Sequence, residues 1–309
     1  GHFAVTVEAS SHWPAWAIGP FVRYGENPIL RPPGTGWESV NTLSPGVVYA
    51  DGKFRMLYRA QGRAWTSREG YAESTDGVTF VRKPNPVIDA TQAFEKSNGC
   101  EDARLFDYHG TYYAFYTGNG PKGNIAICEA ISPDAITWKK LGPVVDHTKN
   151  AAVVCDPFGT PVKIKGKFVM FCGNSNFKLC YSDDLVTWGP ATNISIEFPR
   201  GWVTPYEPCV AVTDPSSAHP DNIILFIAGT LNGKGKWFYA ISEVLFDRTD
   251  LTKNVEQLDD CIMKPREPYE SGQKKNSLWT NCIIQHNGQW MLYYAAGDRY
   301  VGLATAPVK

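Results

Sequence analysis

Gly52-Lys53-Phe54-Arg55-Met56-Leu57-Tyr58 is a glycine turn that runs straight into a short strand of aromatic and aliphatic residues, and it is the first of five such stretches. The others are Gly110-Thr111-Tyr112-Tyr113-Ala114-Phe115-Tyr116, Gly166-Lys167-Phe168-Val169-Met170-Phe171, Asn222-Ile223-Ile224-Leu225-Phe226 and Gly288-Gln289-Trp290-Met291-Leu292-Tyr293-Tyr294. Their starts, at 52, 110, 166, 222 and 288, are spaced by 58, 56, 56 and 66 residues. A repeat of nearly fixed length built from short strands and turn residues predicts an all-β fold, a five-bladed β-propeller with about four strands per blade. No stretch sustains a 3.6-residue apolar period, so helices should be few. Ring closure needs the chain ends to share a blade, and Asn27-Pro28-Ile29-Leu30 beside Gly302-Leu303-Ala304-Thr305 would serve. The repeats leave no gap for a linker, so residues 1–309 read as a single propeller domain.

Ser74-Thr75-Asp76-Gly77, Ser132-Pro133-Asp134-Ala135 and Ser182-Asp183-Asp184-Leu185 recur in the same phase, each closed three residues later by Phe80, Trp138 or Trp188. Ser and Asp bond their own backbone in such turns, so these aspartates read as structural. The 30 Lys+Arg balance 31 Asp+Glu, and no block of like charge marks a nucleic-acid surface; no membrane span is expected either. Eight cysteines form no Cys-x-x-Cys pair, so neither zinc nor any other metal or cofactor is expected. Cys172 and Cys180 could face each other across a hairpin, whereas the others read as buried thiols. The sequon Asn193-Ile194-Ser195 is expected by chance. With no initiating Met and no signal peptide, the first residues read as a remnant on a trimmed mature chain, and a periplasmic or secreted location is favoured.

The stretch richest in chemistry is Gly99-Cys100-Glu101-Asp102-Ala103-Arg104-Leu105, two carboxylates and a guanidinium just before the aromatic strand at 112–116. Charges at the mouth of a buried strand must be paired or used, and a loop-corner ion pair is the plainer alternative to catalysis. The 13% aromatic content, with ten Trp, suits pyranose stacking and a propeller core alike.

Together with Tyr58-Arg59-Ala60, the segment Ser67-Arg68-Glu69-Gly70 to Phe80, Lys149-Asn150-Ala151-Ala152, Glu270-Ser271-Gly272 and Tyr293 to Asp298, this motif resembles glycoside hydrolase family 130, the mannoside phosphorylases and β-mannosidases. The resemblance implies a five-bladed propeller and an inverting enzyme acting on β-linked mannosides in the central funnel, with an oligosaccharide as partner. It also implies Asp102 as general acid, with Glu101 expected to help Asp102 keep its proton and Arg59 and Arg104 to orient sugar and acid; a blade-to-blade ion pair is the alternative for each arginine. Asp298 is expected as a further sugar contact.

The resemblance leaves the attacking group open. A phosphorylase must bind inorganic phosphate, and Arg68 and Lys149 fall where the family places basic groups, but Ser44-Pro45 stands where phosphorylases carry an Asn. Where a phosphorylase presents Lys and glycines, this chain has Thr204-Pro205-Tyr206-Glu207-Pro208-Cys209. A carboxylate there would repel phosphate and could activate water, about 6.5–9.5 Å from the acid in an inverting hydrolase. Glu207 is thus the favoured base and Glu270 the second candidate. A hydrolase of β-mannosides, with β-1,2 linkages expected, is the leading reading, a phosphorylase the second, and a non-catalytic glycan-binding propeller the third.

Overall fold

The computed structural model describes residues 13–197, 204–214, 219–233 and 236–309. Five antiparallel sheets follow one another along the chain. Sheet I is β2 (Asn41–Ala50), β3 (Lys53–Gln61), β4 (Arg68–Ser74) and β5 (Val81–Arg82), after the short β1 (Val22–Arg23). Sheet II is β6 (Gly99–Tyr108), β7 (Thr111–Asn119), β8 (Ile125–Ser132) and β9 (Lys139–Asp146). Sheet III runs β10 (Ala152–Cys155), β12 (Lys167–Gly173), β13 (Phe177–Ser182) and β14 (Thr192–Asn193), with β11 (Lys163–Ile164) beside β12. Sheet IV holds β15 (Thr204–Thr213), β16 (Asn222–Gly233), β17 (Lys236–Asp247) and β18 (Glu256–Gln257). In sheet V, β19 (Leu278–His286), β20 (Gln289–Ala296) and β21 (Tyr300–Pro307) are completed by β1 from the other end of the chain.

Each of the five repeated stretches is the second strand of its sheet. Those strands read as unbroken apolar runs because both faces are buried: Tyr112, Ala114 and Tyr116 pack toward sheet I, while Phe115 packs toward sheet III. Five apolar clusters result, each between neighbouring sheets: I with II, II with III, III with IV, IV with V, and V with I. The last of these closes the ring. The molecule is an all-β five-bladed propeller, with 54% strand and 4% helix among the described residues. Among the described residues the helices are four single 3-10 turns, and none is long and apolar enough to cross a membrane.

Closure differs in detail from the sequence expectation. Val22 and Arg23 form the closing strand, paired with Thr305 and Ala304, while Asn27–Leu30 lies along the same edge. There the Ile29 N–H donates to Val301 O at 2.8 Å and the Asn27 side chain brackets Leu303. Sheets III and IV are joined by a parallel pairing of β10 with β15, Val154 with Ala211 and Cys155 with Val212.

The three Ser-x-Asp turns are alike. Each Asp accepts the N–H groups of the second and third residues after it, at 2.9 and 2.8 Å, and meets its own Ser hydroxyl. Cys172 and Cys180 lie on adjacent strands but not opposite one another, since Cys180 pairs with Met170 and Cys172 with Lys178, and both remain free thiols. Gly99 has φ +92, and a Cβ there would lie 2.0 Å from Ser67 O; its absence lets β6 start against sheet I.

Candidate active site

The innermost strands converge on a cavity of about 130 Å³ lined by four of the sheets and by the turn into the fifth. Sheet I supplies Ser44 and Arg59, sheet II Glu101, Asp102 and Arg104, and the turn into sheet III Lys149 and Asn150. Tyr206 and Glu207 come from sheet IV, and Lys274, Trp279, Asn281 and Asp298 from sheet V and its approaches. Eight of the ten residues anticipated from sequence are thus brought together.

Asp102 sits on a bulge. The β6–β7 register shifts between Glu101 and Arg104, and Asp102 adopts φ +55, the left-handed region a non-glycine residue rarely occupies. The bulge puts both carboxylates of the Glu101-Asp102 pair within reach of one guanidinium: Arg59 Nη1 donates to Asp102 Oδ1 at 3.2 Å, Nη2 to Glu101 Oε1 at 3.0 Å, and Nε to Ser67 Oγ at 2.9 Å. Asp298 (φ +53) and Ser44 (φ +49, at a matching bulge in β2) reach the cavity from similarly strained positions. Such strain persists only where the surroundings over-determine it, which is common at working sites.

The electrostatics correct one sequence expectation. Glu101 was expected to keep Asp102 protonated, but the Asp102 carboxyl lies below the usual carboxylate range. Burial opposes its ionisation and is outweighed by the cations Arg59, Lys149 and Arg104, with Ser44 adding to them. Glu101 is the one pushed up, by burial first and by Asp102, despite Arg59. Burial likewise raises Asp298 and Glu207.

Glu207 lines the cavity between two bulges of β15, and its Oε1 lies 2.9 Å from Lys149 Nζ. Lys149, expected among the substrate-binding residues, is therefore shared with a carboxylate. Arg104 makes a blade-to-blade link, but to backbone and amide groups and not to a carboxylate. It is 3% exposed and donates to the carbonyls of Asp102 (3.0 Å), Pro208 (3.1 Å) and Cys209 (3.4 Å) and to Asn150 Oδ1 (3.4 Å).

Two anticipated residues lie elsewhere. Arg68 Nε turns to Asp89 at 2.6 Å and does not line the cavity. Glu270, the second base candidate, is fully buried in the 3-10 turn Pro268–Glu270 with every lone pair engaged. Arg23 donates two bonds of 2.9 Å, the N–H groups of Arg266 and Glu267 donate at 2.9 and 3.0 Å, and the Tyr294 hydroxyl donates at 3.1 Å. A carboxylate so occupied has no capacity left to take a proton from water.

Sequence reading missed the wall formed by sheets IV and V. There the rings of Tyr206, Tyr239 and Trp279 lie 5.4–5.8 Å apart, Lys274 Nζ stands 3.7 Å from the Tyr239 centroid, and the buried Asn281 Nδ2 has no partner among the described residues. Aromatic faces next to an unpaired donor suit a pyranose, which offers an apolar face and hydroxyl acceptors. Each residue stands alone in sequence, and only the coincidence of three aromatics near strand starts could have flagged them.

Comparison with known proteins gives this cavity a context. A family model described as β-1,4-mannooligosaccharide phosphorylase matches residues 23–309. A 1,2-β-oligomannan phosphorylase of Thermoanaerobacter sp. (strain X514) is 27% identical over 93% of this chain and 97% of its own length, and a β-1,2-mannobiose phosphorylase of the same strain is 28% identical over 91% and 95%. A solved structure that is 26% identical has a TM-score of 0.86, covering 96% of this chain and 98% of that one. It comes from work describing the family of mannoside phosphorylases as containing glycoside hydrolases that target β-1,2 mannosidic linkages in Candida mannan. With the family match running through all five sheets and over every cavity residue, the chain belongs to glycoside hydrolase family 130.

Proposed function

We propose that the protein cleaves β-mannosidic bonds, β-1,2-linked manno-oligosaccharides first among them, by inversion and with inorganic phosphate as the attacking group. The observation that carries the reading is Asp102, presented to a polar cavity on a strained bulge and clamped by Arg59. As general acid Asp102, which ionises readily in the free protein, must take up a proton before it delivers one toward the glycosidic oxygen, directly or through a sugar hydroxyl, so activity on this reading falls as pH rises through its titration. Phosphate as acceptor is supported by the two curated relatives, both named as phosphorylases, and by the four basic side chains lining the cavity: Arg59, Arg104, Lys149 and Lys274. In this reading phosphate competes with Glu207 for Lys149. Residues 1–309 act as one catalytic domain.

A second reading, hydrolysis, is favoured by Glu207 itself. It is a buried carboxylate in the cavity wall that could take a proton from water, and as a fourth acidic side chain among the four basic ones it weakens their attraction for an incoming anion. Incubating β-1,2-mannobiose with and without phosphate separates the two. Mannose 1-phosphate formed only with phosphate supports the proposal, and free mannose at an undiminished rate without it replaces the proposal with hydrolysis. The Glu207→Gln variant sharpens the outcome, because a phosphorylase should keep turnover and bind phosphate more tightly once Lys149 is released, while a hydrolase should stop.

A further inference from the structure

We propose that Glu69 is a positioning residue for Asp102, fixing through Ala103 the bulge that turns Asp102 into the cavity. The inference rests on the reading of Asp102 as general acid. Glu69 lies on β4 behind the cavity wall, with no exposed surface, its backbone paired with Arg59 on one side and Ile88 on the other. The bulge leaves Asp102 and Ala103 without cross-strand partners on β7. A buried amide at such a place needs an acceptor, and the Ala103 N–H finds Glu69 Oε1 at 3.3 Å. Glu69 Oε2 has no partner and Glu69 makes no ion pair among the described residues.

The groups facing Glu69 are Asp102 and Glu101 on β6, which disfavour its charge, and Arg59 on β3, which favours it. Burial is the strongest influence, and the net result pushes the carboxyl well above the usual carboxylate range. The Ala103 amide needs only an oxygen acceptor at that distance, which a carboxyl or a carboxamide supplies alike. Side-chain reach, not charge, is then what the position requires.

The test compares Glu69→Gln, which keeps the acceptor, with Glu69→Leu, which removes it, and Glu69→Asp, which withdraws it by one methylene and remains informative if the leucine variant does not fold. Two substrates are used: β-1,2-mannobiose, and 2,4-dinitrophenyl β-mannoside, whose leaving group needs no proton. A displaced acid costs on the order of 10²-fold. The leucine and aspartate variants should therefore lose kcat on mannobiose by about that factor with KM nearly unchanged, and both should retain turnover of the dinitrophenyl substrate. The glutamine variant should stay close to wild type on both substrates and keep its pH profile. Full mannobiose turnover by a folded leucine or aspartate variant overturns the inference, as does a glutamine variant as slow as the leucine one. Asp102→Asn is the control: if it too turns over mannobiose at the wild-type rate, the acid assignment falls, whereas a slow Asp102→Asn beside a fast Glu69→Leu removes only the brace.

Discussion

Two corners of the propeller each set acidic groups against one arginine, and they differ in what is left over. At the Pro268–Glu270 turn, Glu270 takes five hydrogen bonds, from Arg23, two amides and Tyr294. At the β6 bulge, Asp102 takes one hydrogen bond from Arg59, which it shares with Glu101, meets Ser44, and lines the cavity. The first corner is a joint, tying the closing strand β1 to the approach of sheet V, because a saturated carboxylate can only hold. In the proposed reading the second exchanges a proton, and it carries fewer hydrogen bonds than Glu270 does. On that reading, spare hydrogen-bonding capacity, more than the presence of a charged pair, separates the reactive carboxylate from the structural one.

The widest separation between the corners should come from removing each carboxylate's charge. Asp102→Asn should fold normally and lose about 10² to 10⁴ in turnover of an unactivated mannobioside; more than about a tenth of wild-type activity would erase the distinction. Glu270→Gln should do the reverse, keeping activity per folded molecule. It should cost about 3 kcal/mol in a denaturant titration, the scale for stranding one partner of a buried ion pair.

Arg59→Gln probes the shared guanidinium. Arg59 holds Asp102 below its ordinary range, so its loss raises the pH at which Asp102 gives up its proton. Activity that needs protonated Asp102 falls as pH rises through that value, so the variant's basic limb of kcat/KM against pH should move to higher pH even as the rate drops. A limb that stays in place would mean that another group sets it.

A third carboxyl supplies the extreme case. Glu129 on β8 is fully buried, and neither oxygen has a partner among the described residues; burial pushes it up to about 9, with Asp184 adding. Its folded value lies above its unfolded one, so its contribution is fully present below pH about 4.5 and is lost as pH rises toward about 9, by at most about 1.4 kcal/mol per pH unit. Glu129→Met should melt progressively higher than wild type as pH increases across that window, and a constant difference would show that the carboxyl is already ionised.

The ring was legible from sequence because its physics is local and repeated. A second strand buried on both faces must read as an apolar run, and Tyr112 to Tyr116 does so in each of its counterparts. Asp102 and Arg59 were legible because neighbouring strands carry them in compact motifs. Glu270 was misplaced because a Glu before Ser-Gly reads alike whether it faces a cavity or caps a turn, and the Arg23 that decides the matter is 247 residues away. Arg68 went astray for a related reason: successive strand residues point to opposite faces, and Asp89 claims the face that Arg68 occupies. The aromatic wall was invisible since Tyr206, Tyr239, Lys274 and Trp279 meet only when sheets IV and V stand side by side.

The ring is unequally fastened around its circumference. Its terminal clasp is the two-residue strand β1, with residues 27–30 beside it, against β21, whereas β10 and β15 bind sheets III and IV backbone to backbone. A force applied between the chain ends loads the clasp first, one short rung after another, so sheet V should peel away early. The doubled unit of sheets III and IV, whose rungs lie far from both ends, should yield last, as a separate and later event in a pulling trace.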